Sequence, residues 1–422
     1  MVRSPISHWS HHRAGVPGWA ALVLASTVLL SGCAGDYVAR THGVRRAYES
    51  EAYEAALAEL DAVAQHGTGK DQLLVLLDRG MVLHAAGKWH ESLQVLAEAE
   101  RLASELDTLS VSEEAGTLLT NERERAYRGE DFEKLMISVL QALNYAQLNQ
   151  DEEALVEVRR VNERLEKMVV DEKKPYEQLA IARYIGGTLY EDQRNLDSAY
   201  IDYAKAFELE PGLGPLAEPL LRLAKKTGRL DEYERLRARF PDVRHEPLGP
   251  NEGQVVVVVE AGLSPEKEPA DRQLETHDLI QVPVYRDRSH PAQARVWGGD
   301  SAQPTVTVTS LASVARVHLE DRIGRMMLKQ AAGATVKAGV AAGAGALTNS
   351  RGLGMLTFLV LNAMNQPDLR SWLSLPAEFQ LARFRLPAGR HTVRLDAAGQ
   401  HTTREVEVKP GRVHVVVIRR YY

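Results

Sequence analysis

Small and large residues recur at fixed spacings between residues 44 and 240, and this pattern restricts the region to paired helices. In each of three copies, a small residue is followed by a large residue at +3 and by a small residue at +12. Apolar residues follow at +16 and +19. The positions expected at helix contacts are Gly80, Leu83 and Ala99 in the first copy, Ala142, Tyr145 and Ala154 in the second, and Gly187, Tyr190, Ala199, Ala206 and Pro211 in the third.

This spacing predicts helix hairpins. Small residues let two antiparallel helices approach closely, and the large residues fill the space between them. The pattern resembles the tetratricopeptide repeat, whose unit is about 34 residues long. The resemblance implies a helical solenoid over residues 44–240, with a concave groove that binds segments of other proteins. A generic antiparallel helical bundle with Ala-rich contacts is the alternative.

Two stretches interrupt the repeat pattern. Residues 105–130 are polar, and residues 169–177 form a charged connector that contains Pro175. An insertion in a repeat array forms a loop or an extra helix on one face, which is often the binding face. A solvated spacer is the other interpretation of both stretches.

The N-terminal 32 residues have the pattern of a signal peptide. A basic start is followed by an apolar run from Trp19 to Leu30, and the run ends in Leu30-Ser31-Gly32-Cys33. This ending resembles the lipobox of bacterial lipoproteins. The resemblance implies cleavage before Cys33, acylation of that residue, and a lipidated tether over residues 33–43. Ala34 follows the cysteine, which in that family implies delivery to the outer membrane, here facing the periplasm. An ordinary secretory signal is the alternative.

Composition and motifs argue against several functional classes. The single cysteine cannot form a disulfide framework or a zinc ribbon, and a net charge of −6 argues against nucleic acid as a partner. The chain has no nucleophile elbow and no phosphate-binding loop. His318, Glu320 and Asp321 are interpreted as one solvated helix face. We therefore expect no catalytic residues, no metal, no cofactor and no enzymatic activity.

The sequence changes character after residue 240. Residues 241–253 are rich in proline and glycine and predict a linker. Val255–Val259 predicts a buried strand, and four segments between Phe379 and Arg419 largely alternate apolar and polar residues. The expected fold is α+β multidomain: an all-α repeat domain over residues 44–240 and a β-rich domain over residues 254–422, with an antiparallel sheet or a sandwich.

A helical insert is predicted inside the β-rich domain, at residues 311–364. Residues 311–332 should form an amphipathic helix with Val314, Val317 and Ile323 on its apolar side. Residues 333–364 are rich in glycine and alanine, but Lys337 and Arg351 interrupt the apolar run before it is long enough to cross a bilayer. A packed helical hairpin, a membrane-surface or partner-binding element, and a flexible loop all fit this segment.

Several segments together resemble a poorly characterised family of proteobacterial lipoproteins. They are the lipobox, QALNYAQLNQDEEALVEVRR at 141–160, the strand VVVVVEAGLSPEKE and the later DLRSWLSLPAEFQLARFRLPAGRH. The family supplies an architecture and a location and no catalytic residues. We expect a membrane-anchored scaffold that binds envelope proteins in its repeat groove. The alternatives are a membrane-active or secretion-associated component that uses residues 333–364, and an envelope enzyme with a C-terminal site.

Overall fold

The computed structural model describes residues 37–67, 69–113, 125–170, 179–273, 279–324 and 367–422. The described residues divide into two units, one containing Tyr37–Arg40 and the other beginning at Thr41. Of the first unit, the structure describes the short helix α1 (Tyr37–Arg40). The predicted lipidation site Cys33 and the Gly/Ala-rich segment 333–364 lie outside the described residues.

Five helix pairs follow one another at the start of the second unit. The two helices of each pair pack against each other, and each pair contacts the next pair along the chain. The prediction of TPR-like helices in this region is confirmed. The pairs are α2 (His42–Glu49) with α3 (Tyr53–His66), α4 (Gln72–Ala85) with α5 (Trp89–Glu113), α6 (Asp131–Gln147) with α7 (Asp151–Val170), α8 (Ala180–Asp192) with α9 (Leu196–Leu209), and α10 (Ala217–Lys226) with α11 (Leu230–Arg239).

The two stretches predicted to interrupt the repeats, 105–130 and 169–177, are only partly described, and the described parts differ from the prediction. Helix α5 continues to Glu113, so the break expected from residue 105 does not begin there. Helix α7 ends at Val170, and residues 171–178 lie outside the described part of the chain. The predicted linker 241–253 contains neither helix nor strand up to residue 251, but strand β1 already begins at Glu252.

Two glycines bring helices of a pair into close contact. A Cβ atom on Gly187 would lie 2.5 Å from the ring of Tyr203, and one on Gly80 would lie 2.5 Å from Cδ2 of Leu96. Tyr145 and Tyr190 are half-buried, and Pro211 is exposed two residues after the end of α9. The other predicted contact residues are buried: Leu83, Ala99, Ala142, Ala154, Ala199 and Ala206.

The C-terminal part of the chain forms three sheets. The first has the strand order β10-β1-β7-β6, the second pairs β2 with β3, and the third has the order β5-β4-β8-β9. The strands are β1 (Glu252–Ala261), β2 (Glu266–Gln273), β3 (Leu279–Arg286), β4 (Arg295–Gly298), β5 (Ser301–Pro304), β6 (Val306–Ser310), β7 (Glu378–Pro387), β8 (Gly389–Ala397), β9 (Gln400–Val408) and β10 (Val413–Arg420).

The first and third sheets pack face to face around one apolar core, as a sandwich does. Val257, Phe384 and Ile418 of the first sheet and Leu395 of the third belong to this core. The antiparallel prediction holds for pairs such as β1–β7 and β8–β9, but it is wrong for β1–β10, which is parallel. The reason is that β9 and β10 belong to different sheets, so β10 crosses the sandwich and joins the free edge of β1.

Residues 311–324 are helical (α12). The predicted apolar side is partly wrong, because Val317 is 43% exposed while Ala315 and Leu319 are buried. The interpretation of His318 as solvated is also wrong. Its ring is 3% exposed and packs edge-on against Phe132 of α6, with centroids 6.0 Å apart.

Candidate binding site

Strand β1 is buried on both faces because it lies between the sandwich core and the helix pairs. Val255, Val257 and Val259 point into the sandwich. Alternate side chains of a strand point to opposite faces, so Gln254 and Glu260 project toward the helices, where both are buried. The first sheet therefore separates the apolar core from a second, polar interface.

That polar interface involves the first helix of every pair, a surface that we call the first-helix face. Each of these helices contributes a side chain that contacts a strand of the first sheet. The contacts are Tyr48 of α2 with Arg419, His84 of α4 with Glu260, Gln147 of α6 with the carbonyl of Val415, Glu191 of α8 with Arg383, and Glu218 of α10 with Arg385. The chain's own strands thus cover the first-helix face.

Two guanidinium groups of this interface converge on Glu191. Arg383 donates to its carboxylate at 2.6 Å, and Arg222 donates to the other oxygen at 2.5 Å. Burial opposes ionisation of Glu191, but the two guanidinium groups outweigh it and lower its pKa to about 2. The hydroxyl of Tyr203 also donates to this carboxylate, at 2.9 Å. The cluster therefore holds a charged carboxylate in a buried interface.

A second buried cluster lies at the start of α6. The carboxylate of Glu130 pairs with Lys267 and Arg322, whose charges outweigh burial and lower its pKa. Burial and the neighbouring Glu130 raise the pKa of Glu133 to about 7. The backbone N–H of Trp372 nevertheless donates to Glu133 at 2.7 Å. Two carboxyl groups three residues apart are thus held in opposite electrostatic environments.

A pocket of about 730 Å³ opens beside the Glu191 cluster. Four segments line it: the α8–α9 turn, the end of α10, the segment 243–250, and the β9–β10 turn at 410–411. Its volume lies within the roughly 300–1,000 Å³ of small-ligand pockets. The segment 243–250 was predicted as a simple linker, and in the structure it forms one wall of this cavity.

Hydrogen bonds fix this wall in place. Arg385 donates to the carbonyl of Glu246 at 2.6 Å, and the backbone N–H of Gly249 donates to the carboxylate of Glu252 at 2.8 Å. The Nε2 atom of His245 lies 2.9 Å from the hydroxyl oxygen of Tyr233 in α11. The opposite wall ends at Gly411, whose φ of +67° favours glycine.

Cationic side chains dominate the pocket rim. Arg194, Lys225, Lys226 and Arg244 line the pocket and are exposed. Within the described part of the chain, Arg194, Lys226 and Arg244 form no ion pair. Arg222 also lines the pocket, but its charge is matched by Glu191 and Glu218. The exposed acidic residue on the lining is Glu246.

Sequence reasoning did not find this pocket. Its four exposed cations lie at positions 194, 225, 226 and 244, on three separate segments. No local spacing connects them, because the fold alone brings the segments together. In the described ranges, no group of three His, Cys, Asp or Glu side chains could hold a metal ion. No helix in those ranges has the length and apolar character needed to cross a membrane.

The fold combines TPR-like helix pairs with a β-sandwich. No protein-family model matches the chain, and no curated protein matches it. Among solved structures, the chain is similar to the MamA protein, with a TM-score of 0.32 and 11% identity over 49% of this chain and 94% of that one. It is also similar to a tetratricopeptide repeat protein from Parabacteroides merdae ATCC 43184, with a TM-score of 0.31 and 19% identity over 47% of this chain and 64% of that one. The TM-scores are low, so the repeat character of this chain rests on its own helix pairs.

Proposed function

We propose that this protein is a non-enzymatic scaffold of the bacterial cell envelope. In this proposal, acylated Cys33 holds it at the outer membrane, facing the periplasm, and the folded unit binds another envelope protein. The lipobox-like segment supports the location, and the TPR-like helix pairs support a role in protein–protein interaction.

The observation that carries the proposal is that the first sheet covers the first-helix face while the pocket stays open to solvent. Exposing the first-helix face to a partner would require the first sheet to detach from the helices and would break contacts such as that between Glu191 and Arg383. The pocket needs no such rearrangement. We therefore place the partner at the pocket, and not in the repeat groove that the sequence suggested.

Site-specific photocrosslinking in living cells tests this placement. A photoreactive amino acid at Pro247, an exposed residue of the pocket lining, should capture one envelope protein reproducibly. The same group at Val156, an exposed residue of α7, is the matched control and should not capture it. The paired substitutions Lys226→Glu and Arg244→Glu should abolish the capture. Equal capture from both positions, or none from Pro247, would refute the proposed site.

A further inference from the structure

The pocket carries a charge opposite to that of the whole chain. The protein has a net charge of −6, yet four exposed cations from three segments meet around one cavity, opposed by the exposed Glu246. Like charges repel, so bringing them together without anionic partners costs energy unless a ligand neutralises them. The electrostatic complement of this rim is an anionic ligand.

The lining also contains apolar groups. Leu196, Val243 and Leu248 line the same cavity as the cations, together with three prolines. Proline has no backbone N–H to donate, so these backbone segments are poorly suited to cradle a bare anion such as phosphate. A complementary ligand presents carboxylates and apolar side chains together. A pocket of about 730 Å³ admits a short segment but no folded domain.

We propose that this pocket binds a short acidic peptide segment that also carries apolar side chains. Its carboxylates pair with Arg194, Lys226 and Arg244, and its apolar side chains pack against the lining around Leu248. The inference rests on the proposed function and names the chemistry of the partner's docking segment. Exposed charges of this kind steer an oppositely charged partner and make binding sensitive to salt.

Fluorescence anisotropy with the full mature protein provides the test. The probe is a labelled hexapeptide of alternating glutamate and leucine, and its counterpart has lysine in place of glutamate. We expect the acidic peptide to bind, the basic peptide not to bind, and the affinity to fall as NaCl is added. The combined substitutions Lys226→Glu and Arg244→Glu should weaken binding by at least about tenfold, the equivalent of about 1.4 kcal/mol.

Arg390→Glu, which reverses an exposed charge on β8 outside the pocket, is the matched control and should leave the affinity unchanged. The inference is overturned if the acidic peptide fails to bind or if the double variant binds it equally well. It is also overturned if inorganic phosphate displaces the peptide at a concentration similar to that of the peptide. Binding of phosphatidylglycerol vesicles to the protein instead of the peptide would overturn it as well. If crosslinking from Pro247 succeeds while the peptide fails, the scaffold proposal stands and only the ligand chemistry is wrong.

Discussion

His84 of α4 and Glu260 of β1 meet at 2.9 Å in the interior, 176 positions apart in sequence. The other ring nitrogen of His84 lies 2.6 Å from the side-chain oxygen of Asn144, whose amide nitrogen donates to Ser92. Both ring nitrogens of His84 therefore lie within hydrogen-bond distance of an oxygen atom. This buried contact joins the second helix pair to strand β1.

Removing one partner of this contact should destabilise the protein. We expect Glu260→Ala to lower the free energy of unfolding by about 1–3 kcal/mol, because it leaves a buried ring nitrogen of His84 without its hydrogen-bond partner. Urea denaturation measures the loss. Glu268→Ala breaks the exposed Glu268–Arg286 pair between β2 and β3, and it should change stability little. Equal effects of the two substitutions would contradict a structural role for the buried pair.

The contact between Gly187 and Tyr203 gives a second prediction. Gly187→Ala places a methyl group against an aromatic ring that is itself buried and has little space to move. Overpacking of this kind costs about 1–3 kcal/mol, which outweighs the gain of about 1 kcal/mol in helix propensity. Thermal unfolding should show a lower midpoint. Gly214→Ala is the control, since a Cβ there meets no atom within 4 Å. An unchanged midpoint for Gly187→Ala would show that the two helices move apart enough to accommodate the methyl group.

Local patterns predicted the elements, whereas contacts distant in sequence were not predictable. The +16 spacing from Gly187 to Tyr203 is visible in the sequence because it spans one helix hairpin. The valine run of β1 is visible because a strand that is buried on both faces has no solvent-exposed side. By contrast, His84 lies more than 170 positions from its partner Glu260, and Glu191 lies more than 170 positions from its partner Arg383. The residue pattern within a single helix or strand contains no information about such contacts. For the same reason, no local pattern indicated that β10 joins β1 in parallel.

The raised pKa of Glu133 predicts how the free energy of unfolding depends on pH. Burial and Glu130 raise its pKa from 4.5 to about 7 in the folded state, so the folded protein holds this proton more tightly than the unfolded chain does. The stabilisation from Glu133 is therefore complete below pH 4.5 and is lost as the pH rises through about 7. Each pKa unit corresponds to about 1.4 kcal/mol, so the loss amounts to about 3 kcal/mol.

The difference between the wild type and Glu133→Gln isolates this contribution. Asp151, whose pKa burial and Asp192 raise to about 6, adds a slope of the same sign, but it is present in both proteins. We expect urea denaturation to show a flatter stability–pH curve for Glu133→Gln between pH 4.5 and about 7. Parallel curves for the two proteins would mean that Glu133 remains ionised throughout this range.

Cys33 should decide where the protein resides. If the lipobox-like sequence is functional, Cys33→Ser blocks acylation and cleavage, and the uncleaved precursor remains in the inner membrane. Density-gradient separation of the two membranes, with immunoblotting for size, measures both effects. Ser31→Ala keeps a small residue beside the cleavage site, so it should be processed and sorted like the wild type. Normal cleavage and sorting of Cys33→Ser would disprove lipid anchoring.

The polar interface predicts that the helix pairs and the sandwich unfold together. Ion pairs and hydrogen bonds join every first helix to the first sheet, so loss of either part leaves buried charges such as Arg383 and Glu191 without partners. We expect one cooperative transition in urea, with the helical signal in far-ultraviolet circular dichroism and the fluorescence of Trp297 and Trp372 changing at the same midpoint. Trp89→Phe removes the tryptophan of the helix pairs, so that in the described part of the chain the fluorescence reports the C-terminal region alone. Two separate midpoints would show that residues 44–240 fold independently of the strands and that the interface is weak.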